Sequence, residues 1–343
     1  MAGKLDISEI SSKKETIDEN ILYQKYEFSP EIKVELHKYL ESDNYHGVLQ
    51  CIEDWGIIIG IILISERFFT TSWYFYLIAV IIIGSRMRAL FVVMHDSNHK
   101  CLAKNTYLNL FLGTVLSAWP VFCSWTNTYE EHIKLHHQYL GHPKLDGDLI
   151  YFQNIGLAKD GITKSEVVTY LLSTFNPKNV FIIAFRRLIS QNFGLFENNL
   201  EKTLRFMYMG AIFWIFYHFE LFLIVVKYWI IPLITTYQMF FTWNDFFEHY
   251  PLFILEHKKE LYMTRNRLCT PIENLFLGCH NEGYHLLHHC FPKIPSWNYP
   301  AAHKIMMQDE NYKKINGDTY GWPAIVKRML KDTEGFSKIS KDD

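Results

Sequence analysis

Several features that assign a protein to a functional class are missing from this sequence of 343 residues. The net charge is −2, so the basic excess typical of nucleic-acid-binding proteins is absent. The six cysteines form no C-x-x-C pair and no regular spacing, which argues against a disulfide scaffold. The N-terminal stretch from Met1 to Glu19 is polar and lacks the apolar core of a signal peptide. We therefore expect no nucleic-acid partner and a set of free thiols.

Charge is also scarce in two long stretches. Of the 70 charged residues, 18 lie in residues 1–54, but only four lie in 55–94 and three in 206–247. The mean hydropathy of −0.04 is therefore an average over two apolar regions and a polar remainder. A uniformly soluble chain is not the best interpretation of that average.

The apolar regions are predicted to form four membrane-spanning helices in two hairpins. Residues 68–85 carry no charge over 18 positions, which is the length that a spanning helix needs. Glu66 and Arg67 would lie in the turn of the first hairpin, and Lys227 in the turn of the second. The alternative is a pair of buried hairpins in a large soluble helical protein. The four predicted spans are 48–65, 68–85, 206–226 and 228–247.

The predicted fold class is an all-α integral membrane protein with two transmembrane hairpins and a cytosolic helical cap. Arg86 and Arg88 lie at the end of the second span, and Arg186 and Arg187 lie beyond it. If positive charge marks the inside, this end faces the cytoplasm. The predicted segments are an N-terminal cytosolic segment (1–47), the first hairpin (48–94), a cytosolic cap (95–205), the second hairpin (206–247) and a C-terminal cytosolic cap (248–343).

Half of the 16 histidines fall into three motifs. At this histidine frequency, chance predicts only about 0.03 occurrences of each of the two longer motifs. Eight converging imidazoles exceed the four ligands of a structural zinc site and suit two ions. Imidazole binds Zn, Cu, Fe and Ni, so the residues alone leave the metal open. The motifs are His95-Asp-Ser-Asn-His99, His132-Ile-Lys-Leu-His136-His137 and His285-Leu-Leu-His288-His289.

Helical spacing predicts how these side chains converge. Residues at i and i+4 share a helix face, so His95 is expected to pair with His99, and His132 with His136. The adjacent His137 lies about 100° further round the helix and would reach a second point. The third motif has the same final doublet, with its first histidine one turn earlier.

The stretch between the first and second motifs decides whether they can meet. Residues 105–129 carry no charge, but a single crossing would put the two motifs on opposite sides of the membrane. We therefore predict an interfacial or re-entrant segment, which its Pro120 fits. One hairpin, an even number of crossings, separates the second motif from the third. All three motifs are then predicted to lie on the same side.

The motifs, their order and their spacing around two hairpins resemble the membrane fatty acid desaturase/hydroxylase superfamily. The resemblance covers roughly residues 50–305 and includes the stretches 281–292 and 146–148. It implies two non-haem irons, ligated mainly by histidine at the cytosolic ends of four transmembrane helices. It also implies a further ligand just after the fourth helix, at a position matched here by His249. The implied ligands are His95, His99, His132, His136, His137, His249, His285, His288 and His289.

Details of the resemblance point to two branches of the superfamily. The first motif is similar to that of acyl-lipid desaturases and hydroxylases, whereas the Glu-Gly before the third motif resembles the acyl-CoA branch. Acyl-CoA members place an asparagine near a metal one turn before the histidine that matches His249. Here that position is Asp245, with Asn244 beside it, and whether Asp245 contacts a metal stays open.

The residues around the motifs suggest supporting roles. His280 is expected to be structural, and carboxylates next to the ligands are candidates for orienting a metal-bound imidazole through its other nitrogen. His142-Pro143 is not followed by the paired glycines of a cytochrome-b-type haem domain. Electrons would therefore come from a separate carrier, a ferredoxin or a cytochrome-b-type protein. The candidate carboxylates are Asp96, Glu130, Glu131 and Glu282.

The resemblance implies an O₂-dependent fatty acid desaturase that is surrounded by membrane lipids and acts on a lipid acyl chain or a similar alkyl substrate. A hydroxylase or ketolase of the same superfamily is the alternative, because both outcomes share the same ligands. A membrane transition-metal transporter is a third interpretation. It would need ionisable ligands near the middle of spanning helices, whereas these histidines lie at helix ends and in loops.

Overall fold

The computed structural model of the protein describes residues 23–68, 72–159, 161–194, 196, 198–254, 259–316 and 320–342, and residues 335–342 by their backbone alone. Residues 1–22 of the predicted N-terminal segment lie outside these ranges. The described chain is helical, and its extended pairing consists of two isolated bridges, Gln24 with Lys259 and Leu268 with Tyr320. The all-α prediction is confirmed for this part of the chain.

Helices are numbered in chain order over the described residues. Helices α1 to α9 are Pro30–His37, His46–Phe68, Tyr74–Asn98, Thr106–Gly113, Trp125–Thr128, Gly147–Asn154, Lys164–Ser173, Pro177–Phe193 and Asn199–His218. Helices α10 to α18 are Phe222–Val225, Ile231–Ile234, Thr236–His249, Glu260–Met263, Pro271–Phe276, His285–Cys290, Tyr299–Met306, Glu310–Asn316 and Trp322–Asp342. Three π-helical turns join some of them, at Thr114–Ala118, Tyr129–His136 and Val226–Ile230.

Within the described ranges, three helices are long and apolar enough to cross a membrane, namely α2, α3 and the run Phe222–His249 formed by α10 to α12. A fourth candidate is the pair Thr106–Val121 and Trp125–His136, whose axes meet at 103°. This bend lies in the stretch predicted to be interfacial or re-entrant. It returns the chain to the end of α3, as the meeting of the first and second motifs requires.

The second hairpin differs from the prediction. The predicted span 206–226 is not one helix, because α9 ends in a turn at Glu220, which adopts a left-handed φ of 59°. Lys227, predicted at the turn, lies inside the next helical run, so this prediction is wrong. The helix accommodates the charge because the Lys227 ammonium pairs with Glu66 and lies 5.8 Å from the centre of the Tyr76 ring.

Helix α3 is the most buried of the candidate spanning helices. In its most apolar window 78% of residues are buried inside the protein, against 28% for α2. At Gly84, an added Cβ would lie 2.1 Å from Thr236 Oγ1, so the close packing of α3 against α12 requires glycine. His95 near the end of α3 and His249 at the end of α12 emerge on the same side.

The structure changes the basis of the predicted orientation. Arg86 and Arg88 lie within α3, where both are buried. Arg86 pairs with Asp54 at 3.1 Å, and Arg88 pairs with Glu282. Charges neutralised inside the protein carry no information about which side of a membrane is positive. Arg187 is likewise held inside the protein, by Gln238 at 2.8 Å and Asp245 at 3.9 Å. The cytoplasmic orientation therefore loses three of its four supporting residues and stays a prediction.

Candidate metal centre

The second histidine motif lies on a π-helical turn. Its characteristic hydrogen bond runs from the His137 N–H to the carbonyl of His132, five residues earlier, at 2.9 Å. A π turn holds more residues than an α turn, so positions i and i+5 come to the same side. The expected pairing of His132 with His136 is therefore wrong, because His132 pairs with His137 and His136 faces elsewhere.

The third motif forms the regular helix α15. His285 and His289 are four residues apart and share a face, whereas His288 points to a different set of histidines. The helix is positioned by a close backbone contact, in which the Arg267 N–H donates to the Gly283 carbonyl at 2.5 Å. A Cβ at Gly283 would lie 2.2 Å from the Arg267 carbonyl oxygen, so the glycine of the Glu-Gly pair is needed for this approach.

The structure brings all nine predicted ligands together in two adjacent groups. Within each group the candidate ligand atoms lie within 4.8 Å of one another, and every residue is buried or half-buried. Group A is His95, His99, His132, His137 and His288. Group B is His136, His249, His285 and His289.

The Nε2 atoms face the interior of each group. In group A, Nε2 of His132 lies 2.9 Å from that of His95 and 3.1 Å from that of His137. In group B, Nε2 of His285 lies 2.8 Å from that of His249 and 3.1 Å from that of His289. A neutral imidazole has one N–H and one lone pair, so converging nitrogens cannot all satisfy one another. They present several lone pairs to a shared centre.

In five of the nine histidines the opposite ring nitrogen, Nδ1, is held by a contact from outside the group. An outer acceptor that takes the Nδ1 proton fixes the tautomer whose Nε2 lone pair points inward. The contacts are His136 to Asp146 at 2.9 Å, His288 to the Tyr299 hydroxyl at 3.0 Å, His95 to Asp96 at 3.3 Å, His249 to the Met263 carbonyl at 3.4 Å and His285 to Glu248 at 3.6 Å.

Burial and mutual repulsion keep the third-motif imidazoles neutral. Burial lowers the pKa of His288 and His289 well below its ordinary value, and the neighbouring imidazoles lower it further. Neutral imidazole is the form that binds a metal. In addition, His99 Nε2 is buried and has no hydrogen-bond partner among the described residues, as expected of an atom whose partner is an ion. These residues fit a pair of metal ions.

Two outer partners were not anticipated from the sequence. Glu248 precedes His249, and its carboxylate accepts from Arg267 Nε at 3.0 Å while facing His285. Tyr299 lies 11 residues after His288 and is fully buried. The sequence could have indicated Glu248, because it is adjacent to the expected ligand His249, and adjacency also identified the other candidate carboxylates. Tyr299 is not adjacent to an expected ligand, so the sequence could not indicate it.

The predicted carboxylates divide in their roles. Asp96 contacts His95, as expected, and Asp146, in the stretch noted for its resemblance, contacts His136. Glu130 pairs with Lys134 at the surface instead.

Asp245 and His280 lie outside both groups. The carboxylate of Asp245 lies 3.9 Å from the guanidinium of Arg187. His280 contacts Asp54 at 2.8 Å, in keeping with a structural role. Glu282 pairs with Arg88, so it neutralises a buried cation and does not orient an imidazole.

Comparison with known proteins agrees with this geometry. A profile of the family described as "Fatty acid desaturase" matches residues 71–320, which include all three motifs. The chain is also 32% identical over 302 residues to the dihydrorhizobitoxine desaturase of Bradyrhizobium elkanii, covering 85% of this chain and 84% of that protein. The chain therefore belongs to the fatty acid desaturase family.

Proposed function

We propose that this protein is a membrane-embedded di-iron desaturase that removes two hydrogens from neighbouring saturated carbons of an alkyl chain. The observation that carries the proposal is the pair of adjacent all-histidine groups in a desaturase-family chain, with Nε2 atoms inward and five of the Nδ1 atoms held from outside. Group A would hold one iron and group B the other. Iron is chosen over zinc because the reaction requires activation of O₂, and over copper because the resemblance to the desaturase/hydroxylase superfamily implies two non-haem irons.

The reaction balances with O₂ as oxidant and a separate electron donor. R–CH₂–CH₂–R′, O₂, two electrons and two protons give R–CH=CH–R′ and two molecules of water. The iron pair, when bound, supplies the oxidising power for C–H cleavage that no side chain has. The electrons would come from a ferredoxin or a cytochrome-b-type protein.

The chain's own residues hold and insulate this centre. The nine imidazoles would supply the ligand atoms. The carboxylates of Asp96, Asp146 and Glu248 contact the outer nitrogens of His95, His136 and His285, which restrains these three rings and raises their basicity. Asp146 is fully buried and Glu248 nearly so, so neither is displaced readily by water. The enclosed centre restricts bulk water near the reacting carbons.

We place the protein in the membrane with α2, α3, α9 and the run α10 to α12 across the bilayer. Helix α9 is included because the chain must cross once between the second motif and the start of α10 for His249 to return to the side of His95, and because its Met207 and Trp214 are 66% and 65% exposed. His95 and His249 then lie at the same ends of their helices, on the side proposed to face the cytoplasm. Ligands at helix ends suit an enzyme at the membrane surface. They do not line a path across the bilayer, as a metal transporter requires.

Two substrates are worth testing first. The family description favours a lipid acyl chain, and the identity to the relative over 84% of its length favours dihydrorhizobitoxine as a second candidate. That relative is named a desaturase, so desaturation is preferred here over hydroxylation or ketone formation.

The test is expression in a host with a simple lipid profile, with and without added dihydrorhizobitoxine. Mass spectrometry of lipids and small metabolites would compare the parent chain with His285→Ala, which removes a group B ligand, and with the control His37→Ala. His37 is exposed and lies outside both groups. We expect products lighter by about 2 Da with the parent and control, and none with His285→Ala.

Two measurements would contradict the proposal. Products heavier by about 16 Da would identify a hydroxylase. Purified parent protein that carries zinc in place of iron, with no O₂-dependent product, would remove the di-iron assignment. Iron analysis of the same three preparations therefore accompanies the product analysis.

A further inference from the structure

Helix α8 has two contrasting faces. Val180, Ala184 and Asn192 are buried against the protein. The opposite face carries large apolar side chains at every fourth position, so they form one row along the helix. The row consists of Phe181, Phe185, Ile189 and Phe193, which are 60%, 58%, 45% and 64% exposed.

The inner face of α8 packs on the side of a candidate spanning helix. The Arg187 guanidinium donates to Gln238 Oε1 at 2.8 Å and lies 3.9 Å from the centre of the Phe241 ring. Both partners belong to α12, eleven and eight residues before its final residue, His249. At about 1.5 Å per residue, the contact is about 12–16 Å along the helix from the histidine end. The outer face of α8 therefore lies on the membrane side of the metal centre.

The apolar row continues onto the next helix. The ring of Phe193 lies 6.2 Å from that of Phe206 in α9, where Met207 and Trp214 are 66% and 65% exposed. Phe175, just before α8, is 60% exposed. Taking about 200 Å² for a whole side chain, the exposed Phe rings of α8 and Phe175 alone present about 500 Å². That approaches the largest apolar patches of typical soluble monomers, before α9 is counted.

The charges on α8 indicate what kind of partner its apolar row would contact. The helix contains no aspartate or glutamate, and its exposed charges are the cations Lys178 and Arg186. Cations beside an aromatic row are typical of helices that lie at the surface of an anionic bilayer. A soluble protein partner would not explain why the surface is continuous with the side of a spanning helix.

We propose that α8 lies within the lipid leaflet on the histidine side, with the row from Phe181 to Phe193 among the acyl chains and Lys178 and Arg186 at the headgroups. This rests on the membrane placement proposed above. Part of the segment 95–205, predicted to be cytosolic, would then be embedded. Because α8 is attached to α12, this contact would set the height of the metal centre above the lipid.

The test measures the surroundings of single labelled positions in the full chain. Phe185→Cys reports on α8, Ile59→Cys on the lipid side of α2, and Lys313→Cys on the exposed surface of α17. Ile59 is 55% exposed and the Lys313 side chain 56%, so none of the three substitutions disturbs a buried contact. Each variant carries an environment-sensitive fluorophore and is placed in vesicles of phosphatidylcholine and phosphatidylglycerol. The labelled parent chain gives the background from the six native cysteines, of which four are buried.

Quenching by doxyl-labelled lipid and by aqueous iodide then separates the outcomes. We expect the Phe185→Cys label to behave like the Ile59→Cys label, with blue-shifted emission that doxyl lipid quenches and iodide does not. The Lys313→Cys label should show the reverse.

Three results would overturn the inference. If iodide quenches the label at Phe185→Cys while the label at Ile59→Cys responds to lipid, only the placement of α8 fails. If the Phe185→Cys label is protected from both quenchers and the unlabelled variant cross-links to a second copy, the row is a contact between chains. If the label at Ile59→Cys is itself quenched by iodide, the membrane placement fails, and this inference fails with it.

Discussion

The second and third histidine motifs divide their histidines between groups A and B in the same way, although their backbones differ. The third, in an α-helix, directs its first and last histidines to one group and its middle histidine to the other. The second contains one more residue, yet its first, last and middle histidines divide in the same way, because the π turn at Tyr129–His136 absorbs the extra residue. The spacing of two histidines in the sequence therefore predicts whether their side chains meet only when the type of helix is known.

The two motifs also interlock. Each group takes the first and last histidines of one motif and the middle histidine of the other, so neither metal could be held by one segment alone. The interlocking keeps the groups adjacent, and the rings of His137 and His289 stack across the boundary with centroids 4.4 Å apart. The first motif then completes group A, and His249 completes group B.

The largest expected effect is the loss of a ligand from either motif. His137→Ala and His289→Ala should each lower turnover more than about 100-fold, beyond the loss caused by outer partners alone. Each should also lower bound iron by about one ion per chain, from group A and group B respectively. Iron content and product formation would be measured on purified protein. His303→Ala is the control, since His303 is partly buried and bonds Tyr312 but lies outside both groups. Equal iron content in all four proteins would contradict the two-group assignment.

Single-residue deletions test the role of the π turn directly. Deleting Lys134 leaves His-Ile-Leu-His-His, almost the third motif, and Lys134 is exposed and bonded only at the surface to Glu130. We expect the turn to become α-helical, with both irons retained and at least about a tenth of the activity. The α-helical third motif contains no extra residue, so deleting Leu286 would turn its histidines away from their groups. This deletion should abolish metal binding.

The two deletion variants would be compared by their turnover and by the iron content of the monodisperse fraction of each purified protein. If removal of Lys134 is as damaging as removal of Leu286, the π turn is not a simple insertion, and the similarity of the two motifs is accidental.

The same contrast shows what the sequence can and cannot predict. The eight histidines of the motifs and the candidate spans α2 and α3 follow from local patterns of residue type and hydropathy, whereas His249 was expected only from the resemblance to the desaturase/hydroxylase superfamily. The π turn could not be predicted, because its i to i+5 bonds depend on how flanking segments pack. Lys227 was misplaced because its partner, Glu66, is 161 residues away in sequence. For the same reason the sequence does not show that Arg86 and Arg88 are paired inside α3, since their carboxylate partners, Asp54 and Glu282, lie in distant parts of the chain.

A smaller effect is expected from the carboxylates behind the two motifs. Asp146→Asn and Glu248→Gln keep the shape of the side chains but replace an anion by a neutral acceptor. We expect each to lower iron affinity or turnover by about 10- to 100-fold, and Asp146→Asn more, because its contact with His136 is the shorter. Competition with a chelator would measure iron affinity. The control Glu130→Gln alters a carboxylate that pairs with Lys134 at the surface and should leave the affinity unchanged.

The smallest effect is expected at Tyr299, the neutral counterpart of Asp146. Its hydroxyl oxygen accepts from Nδ1 of His288 at 3.0 Å, so Tyr299→Phe removes one uncharged hydrogen bond while the ring keeps its packing. Such a bond contributes about 1 kcal/mol, which corresponds to a loss of roughly 5-fold in iron affinity at group A. Chelator competition on Tyr299→Phe and Asp146→Asn would compare the two motifs under the same conditions. A loss at Tyr299 equal to that at Asp146 would mean that the position of the outer acceptor, and not its charge, controls these imidazoles.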